Sequence, residues 1–251
     1  MDKKTEEKIL IARAEDAVRL CERQYAVRST GFLTPAEAAA VKKNVRGGEV
    51  RLRFFGGYSD AERCVFAALP EYADDSEADG LICVLEVTGR DIGGLTHRDY
   101  LGSLLGLGIK REKIGDILVC DDKCLIFVLH DIAEYIAANL EKIGRCGVKV
   151  RIAEKGTYAL PERRVERISA TVAALRLDCI CAAALRTSRA KALPYITGGR
   201  VSVNWDEKDN PSFQMKAGDV LSIRGAGRFR LTDEINETKK GRLGVCIEKM
   251  K

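Results

Sequence analysis

Apolar residues near the start of the chain recur at the spacing of one helix face: Ile9, Leu10, Ala14, Ala17 and Val18. This spacing predicts an amphipathic helix. Further along, Thr34 precedes a proline and stands three positions before Glu37, which is the residue order of a helix N-cap and first turn. We therefore expect residues 3–46 to be helical and a helical N-terminal region to span residues 1–48.

Short apolar runs alternate with helical patterns in the middle of the chain. The runs predict six strands, at 49–55, 62–69, 81–87, 116–120, 124–129 and 147–152. Helices are predicted at 97–106 and 131–143, and Thr96 and Asp99 have the spacing of a capping box before the first. Helices and strands in this order indicate an α+β sandwich, which we assign to residues 49–154.

A charged stretch at 155–170, with one short strand at its end, is interpreted as a linker to a C-terminal domain at 171–251. Apolar residues of this domain first follow the i, i+3, i+4, i+7, i+8 pattern of an amphipathic helix: Leu177, Ile180, Cys181, Ala184 and Leu185. Ser188 suits the N-cap of a second helix, and Gly198-Gly199 suits its left-handed end.

Pro194 lies inside this second helix and lacks a backbone N–H, so the helix is expected to be short or kinked after Leu193. Alternating residues then predict strands around 200–204, 220–224, 228–232 and 243–248. The C-terminal domain should therefore consist of two short helices on a small, bent β-sheet.

Composition narrows the class of protein. The chain has 251 residues, 46% of them hydrophobic and 31% charged, which is enough apolar material for folded cores. No apolar run approaches the roughly 18 residues of a membrane span. The N-terminus also lacks the apolar core of a signal peptide, so we expect a cytoplasmic protein.

Nine cysteines and two histidines do not form a metal-binding pattern. The cysteines lie mostly within apolar stretches such as 81–85, without a Cys-x-x-Cys pair, so buried reduced thiols are expected. The sequence has no phosphate-binding or dinucleotide-binding glycine loop, and no carboxylate or thiol–histidine pair that requires a reaction. We expect no metal, no cofactor and no catalysis.

The net charge of +5 is concentrated in the last third of the chain. From Ala170 onwards, 15 lysines and arginines stand against 9 aspartates and glutamates, whereas the preceding residues carry 27 against 28. This asymmetry indicates an anionic partner that binds the C-terminal domain.

The cations that could bind such a partner fall within one helix–helix–strand unit: Arg176, Arg186, Arg189, Lys191 and Arg200. Arg176 and Arg189 stand at two helix starts, where free amides and the helix dipole are expected to favour a phosphate. Asp178 is interpreted as a helix-orienting or arginine-pairing group, because carboxylates rarely face phosphate.

Four further residues complete the candidate set. Asn204, expected on the polar side of a strand, could donate to a base edge or a sugar. Lys239, Lys240 and Arg242 form a basic loop that either contacts RNA or is only solvated. Trp205 either stacks on a base or packs against the domain.

Four motifs in the C-terminal domain together closely resemble the S-four RNA-binding domain: Arg176-Leu177-Asp178, Ser188-Arg189 with Ala192, Gly199-Arg200-Val201-x-Val203-Asn204 and Ala217-Gly218-Asp219-Val220. That module is named after a small-subunit ribosomal protein. It also occurs in pseudouridine synthases, some tRNA synthetases and ribosome-rescue factors.

Much of the remaining chain is similar to the YlmH-like family, which carries an S-four domain. The matching stretches are Phe55-Gly56-Gly57-Tyr58 with Ala61-Glu62-Arg63, His97-Arg98-Asp99-Tyr100-Leu101-Gly102, Gly106-Leu107-Gly108-Ile109-Lys110-Arg111-Glu112-Lys113, Gly115-Asp116-Ile117-Leu118-Val119, Lys142-Ile143-Gly144-Arg145 and Val203-Asn204-Trp205. The resemblance implies a helical N-terminal part, a middle RNA-binding domain of RNA-recognition-like build and the C-terminal S-four domain. It also implies binding to the large ribosomal subunit, with ribosomal RNA and peptidyl-tRNA as partners, in ribosome-associated quality control.

Two other functions stay open. Gly89-Arg90-Asp91 partly matches the Gly-Arg-Leu-Asp stretch of pseudouridine synthases, which would make the protein an RNA-modifying enzyme. The leucine is missing, however, and Asp91 is expected to lie in a turn. An adaptor linked to cell division would instead bind a protein partner through the N-terminal helices. The sequence also leaves open whether Phe54, Phe55 and Tyr58 stack on bases or fill a core.

Overall fold

A computed structural model describes residues 2–154, 156–161, 165–238 and 241–250. The chain divides into two compact parts, which we call the N-terminal unit (Met1–Pro161) and the C-terminal unit (Glu162–Lys251). Helices and antiparallel sheets occur in both units, which confirms the α+β class.

The N-terminal unit begins with two helices and a three-stranded antiparallel sheet. Its elements are α1 (Lys3–Gln24), β1 (Arg28–Leu33), α2 (Pro35–Asn44), β2 (Arg51–Phe55) and β3 (Cys64–Leu69), followed by a short α3 (Asp75–Asp79). The strand order is β1-β3-β2. The expectation of continuous helix over 3–46 is therefore wrong at 28–33, where pairing with β3 makes the chain a strand.

Local capping fixes the start of α2. The Thr34 side chain accepts from the Glu37 amide, the Glu37 carboxylate accepts from the Thr34 amide, and Pro35 occupies the first helical position. The predicted N-cap and first-turn proline are thus confirmed, and the two reciprocal hydrogen bonds form a capping box. Helices α1 and α2 cover the sheet with a shared core that includes Ala14, Cys21, Val41 and Phe66.

The second half of the N-terminal unit has the β-α-β-β-α-β order of RNA-recognition-like folds. Its main elements are β4 (Ile82–Thr88), α4 (His97–Gly106), β5 (Ile114–Val119), β6 (Cys124–Leu129), α5 (His130–Asn139) and, after a small hairpin of β7 (Lys142–Ile143) and β8 (Cys146–Gly147), β9 (Lys149–Ala153). The antiparallel sheet has the order β5-β6-β4-β9. Helices α4 and α5 contact one face of this sheet. The strands expected at 49–55 and 62–69 are β2 and β3, which belong to the first sheet.

The face of the four-stranded sheet opposite the helices is covered by residues from the first sheet and its loops. Phe127 on β6 is fully buried in a cluster with Phe32 and Val65. Tyr58 and Tyr158 complete the cover, with ring centroids 4.9 Å and 6.4 Å from that of Phe127. The two sheets of the N-terminal unit therefore share an aromatic core.

A carboxylate on β5 fastens this junction. Asp116 accepts hydrogen bonds from the Tyr58 hydroxyl (2.7 Å), the Glu62 amide (2.7 Å) and the Arg63 amide (3.0 Å). The Arg63 guanidinium in turn donates to the carbonyls of Ile114 at 3.0 Å and Phe32 at 2.8 Å. Polar groups between the two sheets are thus hydrogen-bonded, as buried polar groups require.

Two glycines make the close approach of the sheets sterically possible. A Cβ on Gly57, which has a φ of 93°, would lie 2.6 Å from the Phe127 ring. A Cβ on Gly115 would lie 2.5 Å from the Phe32 ring. Both distances are shorter than any real Cβ contact, so both positions require glycine.

The C-terminal unit packs two helices on a six-stranded antiparallel sheet. Its elements are β10 (Glu166–Val172), α6 (Leu177–Ala184), α7 (Arg189–Thr197), β11 (Val201–Val203), β12 (Asp206–Glu207), β13 (Val220–Ile223), β14 (Gly227–Glu237) and β15 (Leu243–Met250). The strand order is β10-β15-β14-β13-β11-β12. The core residues come from both helices and from all of these strands except the short β12.

Two details differ from the sequence prediction. The short strand expected at the end of the 155–170 linker is seven residues long, and it pairs with β15 along its whole length. Helix α7 runs through Pro194 to Thr197, so the proline does not end it at Leu193. With nine residues the helix is nonetheless short, as expected.

Candidate nucleic-acid interface

Two predicted arginines meet at one buried carboxylate in the C-terminal unit. Arg189 donates from Nε to Asp178 Oδ2 at 3.0 Å and pairs with the same oxygen through its Nη2. Arg176 Nε lies 3.3 Å from Asp178 Oδ1. The carboxylate is 7% exposed, whereas the Arg176 and Arg189 side chains are 36% and 55% exposed. Asp178 therefore holds two guanidinium groups side by side at the surface.

The charge state of Asp178 follows from this arrangement. Burial acts to raise the pKa of the carboxyl, but hydrogen bonds from Arg189 and Cys179 and the charges of both arginines outweigh it. The pKa of Asp178 consequently lies below its ordinary value. The interpretation of Asp178 as an arginine-pairing group is confirmed.

The expectation of free amides at the start of α6 is wrong. The amide of Leu177 donates to the Phe213 carbonyl at 2.8 Å, and that of Asp178 donates to the Pro211 carbonyl at 3.1 Å. The loop after β12 therefore occupies the donors that a phosphate would need. Arg176, the N-cap residue of α6, can act on an anion only through its side chain.

At the start of α7, the Ser188 hydroxyl accepts from the Lys191 amide, which confirms the predicted N-cap. Lys191 is exposed in the same first turn as Arg189. Arg186 follows the other end of α6, and its guanidinium pairs with Glu166 on β10 at 2.7 Å. Arg186 is thus tied to the sheet and does not join the Asp178 pair.

Asn204 is a turn residue and not part of a strand. Asn204 and Trp205 have φ values of 48° and 68° and form the turn between β11 and β12. The Asn204 side chain donates to Asp219 at 2.8 Å and accepts from the Val220 amide at 3.0 Å. The Asn204 side chain therefore links this turn to the start of β13 through its own hydrogen bonds.

Of the predicted basic loop, Arg242 is exposed and donates to the Thr171 carbonyl at 3.2 Å. Lys239 and Lys240 lie outside the described residues. The described part of the loop thus places one cation at the β10–β15 side of the sheet.

A second cationic cluster lies at the other end of α7, and the sequence prediction missed part of it. The Arg200 guanidinium lies over the Tyr195 ring, with Cζ 4.0 Å from its centroid. The Arg224 amide donates to the Arg200 carbonyl at 2.9 Å, and Arg224 is exposed. The antiparallel pairing of β11 with β13 places the backbones of these two arginines side by side, which no short-range sequence signal indicates.

In the N-terminal unit, the aromatic residues left open by the sequence fill cores. Phe54 packs with Phe66 at a centroid distance of 5.2 Å, while Phe55 and Tyr58 contact the cluster around Phe127. Asp91, the residue of the enzyme alternative, is exposed in a turn, as expected. The face of the four-stranded sheet that Phe55 and Tyr58 help to cover is therefore not exposed.

Two other kinds of feature are absent from the described residues. No cluster of three or more histidine, cysteine, aspartate or glutamate side chains could hold a metal ion within the described ranges. In the same part of the chain, no helix is long and apolar enough to span a bilayer.

Comparisons with known proteins agree on one family. Residues 82–156 match the family model described as "Putative RNA-binding domain in YlmH". The chain is 35% identical over 247 residues to "Ribosome-associated protein quality control protein P2" of Bacillus subtilis (strain 168), covering 98% of this chain and 96% of the relative.

A solved structure, "Cell division protein ylmH from Streptococcus pneumoniae", is similar to part of the fold. The TM-score is 0.52 at 20% identity, with 59% of this chain and 92% of that chain covered. At this identity the likeness concerns the fold alone. The near-complete alignment with the Bacillus relative shows that the chain belongs to the YlmH-like family.

Proposed function

We propose that the protein is a non-catalytic RNA-binding protein of ribosome-associated quality control. It binds the large ribosomal subunit, contacting ribosomal RNA and peptidyl-tRNA, and its C-terminal unit acts as an S-four module. The observation that carries the proposal is the pair of exposed guanidinium groups, Arg176 and Arg189, that share the buried Asp178. The name of the Bacillus relative and the family model over residues 82–156 support the same reading.

The pair is suited to structured RNA for a physical reason. Guanidinium groups bind phosphate oxygens through a rigid fork, and folded RNA is recognised largely through its shape, phosphates and 2′-hydroxyls. Because Asp178 fixes Arg176 and Arg189 before RNA arrives, less side-chain entropy is lost on binding. The shared carboxylate neutralises one of the two charges, and the surface keeps a net positive charge at this point.

The experiment is co-sedimentation of the full chain with purified large ribosomal subunits that carry peptidyl-tRNA. We expect Arg176→Ala with Arg189→Ala to abolish co-sedimentation at about physiological salt, because each phosphate contact releases counterions and contributes to affinity. The matched control is Arg13→Ala with Arg19→Ala, which removes the same charge from two arginines of α1 that form exposed ion pairs. This control should sediment like the wild type.

Three outcomes would count against the proposal. A folded Arg176→Ala/Arg189→Ala variant that still co-sediments would reject the assigned surface. Binding that is insensitive to added salt would favour a protein-binding adaptor, because phosphate contacts weaken steeply with salt. A pseudouridine in RNA recovered after incubation with the protein would identify an enzyme.

A further inference from the structure

Helix α7 ends in a Schellman motif that folds Arg200 back over Tyr195. Gly199 has a φ of 64°, and the amides of Gly199 and Arg200 donate to the carbonyls of Ile196 at 3.2 Å and Tyr195 at 3.0 Å. These are the two hydrogen bonds that define the motif. The side-chain contact that usually closes it is apolar, whereas here a guanidinium lies on an aromatic ring, 4.0 Å from its centroid.

We propose that Arg200, held on Tyr195, is a stacking site for an unpaired nucleobase, distinct from the phosphate-binding pair at Asp178. This inference rests on the proposed function and assigns its base-contacting part. Arg200 is exposed, and the half-buried Tyr195 ring covers one side of the guanidinium. RNA-binding modules stack unpaired bases on aromatic rings and on guanidinium planes.

The backbone makes this site rigid before RNA binds. The Arg200 backbone is fixed on one side by its amide, which donates to the Tyr195 carbonyl, and on the other by its carbonyl, which accepts from the Arg224 amide at 2.9 Å. With its backbone held in this way and its guanidinium lying on the Tyr195 ring, the Arg200 side chain has lost part of its rotational freedom in the free protein. Stacking a base on it therefore costs less entropy than it would on a free surface arginine.

A carboxylate beside Gly199 disfavours a phosphate on that side of Arg200. The Glu207 carboxylate lies beside Gly199, where a Cβ would meet its Oε1 at 2.7 Å. A phosphate placed there would be repelled, whereas the face of a base carries no net charge. Arg224, exposed on the adjacent hairpin, is placed to contact the backbone of the same nucleotide.

The test measures binding of the full chain to a fluorescently labelled RNA hairpin whose loop bases are replaced one at a time by abasic sites. For the wild type, one abasic position should weaken binding about tenfold, the scale of one stacked base. Arg200→Lys keeps the charge but cannot stack. It should therefore bind the intact hairpin about tenfold more weakly and be insensitive to that abasic site, with an unchanged salt dependence.

Arg167→Lys is the matched control, since Arg167 is an exposed arginine of β10 that pairs with Glu234. It should retain wild-type affinity and the abasic effect. Tyr195→Leu keeps an apolar contact in the Schellman motif but removes the ring that holds the guanidinium, so it should behave like Arg200→Lys. If Arg200→Lys does not fold, Tyr195→Leu provides the test. Wild-type affinity and abasic sensitivity in both variants would overturn the stacking site. Retained binding by Arg176→Ala/Arg189→Ala would instead reject the proposed function.

Discussion

One aromatic ring in each unit, Phe127 and Tyr195, shows two opposite placements. In the N-terminal unit, a sheet of RNA-recognition-like order buries Phe127 under Tyr58 and Phe32. In the C-terminal unit, Tyr195 lies at the surface beneath an exposed guanidinium. RNA-recognition folds bind bases on the sheet face opposite their helices. In the N-terminal unit that face is covered. Strand order alone therefore does not identify a binding face; exposure does.

The residues that make this closure are family motif residues. Gly57 and Gly115 allow the sheets to approach, and Asp116 fastens the loop of Tyr58 and Arg63. Packing between the two sheets therefore explains why these residue types stand at these positions. The edges, the loops and the helix side of the N-terminal unit are then the surfaces left open to RNA.

The largest expected effect comes from truncating the covered ring. Phe127→Ala should lower the stability of the N-terminal unit by about 3–5 kcal/mol, because a fully buried aromatic leaves a cavity. Urea unfolding measures this change. Tyr135→Ala, at a residue 50% exposed on α5, should change stability by less than about 0.5 kcal/mol.

The contrast between a covered Phe127 and an open Tyr195 would fail if Phe127 contributed to RNA affinity. Phe127→Leu, which keeps most of the apolar volume, should bind the hairpin RNA like the wild type. A loss of affinity in this folded variant, comparable with that of Tyr195→Leu, would mean that the sheet opens and uses its covered face.

A smaller effect is expected at the glycine that lets the sheets meet. Gly115→Ala should destabilise the N-terminal unit by about 1–3 kcal/mol, because the added Cβ overlaps the Phe32 ring. The matched control is Gly102→Ala on α4, where a Cβ meets nothing within 4 Å and alanine is the better helix former. Opposite shifts of the unfolding midpoint are expected, and equal shifts would contradict the close approach.

The sequence predicts elements best where local chemistry fixes them. Helix α4 was expected at 97–106 and is found there, because Thr96 and Asp99 form its capping box. Strand β1 was missed because the residues that make it a strand are in β3, more than thirty positions later. Ser29, Thr30 and Gly31 are weak helix formers and already indicate a break in the helix, but pairing with β3 is what makes the segment a strand.

The candidate site shows the same division. Arg176 and Arg189 were predicted from their places at helix starts, and Asp178 as a pairing group. The sequence could not show that one carboxylate serves both arginines, since Asp178 and Arg189 are on different helices. It also could not show that Arg224 joins Arg200, or that Asn204 is already hydrogen-bonded within the unit.

The shared carboxylate makes a prediction about pH. The pKa of Asp178 is lowered by folding, so its stabilisation is complete above its unfolded value of about 4 and is lost as pH falls through the lower folded value. Asp178→Asn should cost the C-terminal unit about 1–2 kcal/mol at neutral pH, the scale of hydrogen bonds to a charged group. Thermal unfolding of both proteins across acid pH should show this difference shrinking below about pH 4. A difference that stays constant with pH would contradict the ionised pair.

The smallest change in stability is expected at Trp205. The sequence alone does not decide whether this ring is covered by the domain or open to bases. Trp205 is 37% exposed and has a φ of 68° in a turn whose two central residues are both left-handed. Glycine is favoured in such hairpin turns, so Trp205→Gly should raise stability by about 0.5–1 kcal/mol, measured by thermal circular dichroism. Asn204→Gly relieves the same backbone strain but removes two side-chain hydrogen bonds, and it should destabilise the unit. A Trp205→Gly variant that is less stable than the wild type would show that the ring packs against the C-terminal unit. A variant that is more stable but binds the hairpin RNA more weakly would place Trp205 with Tyr195 among the exposed aromatics that contact bases.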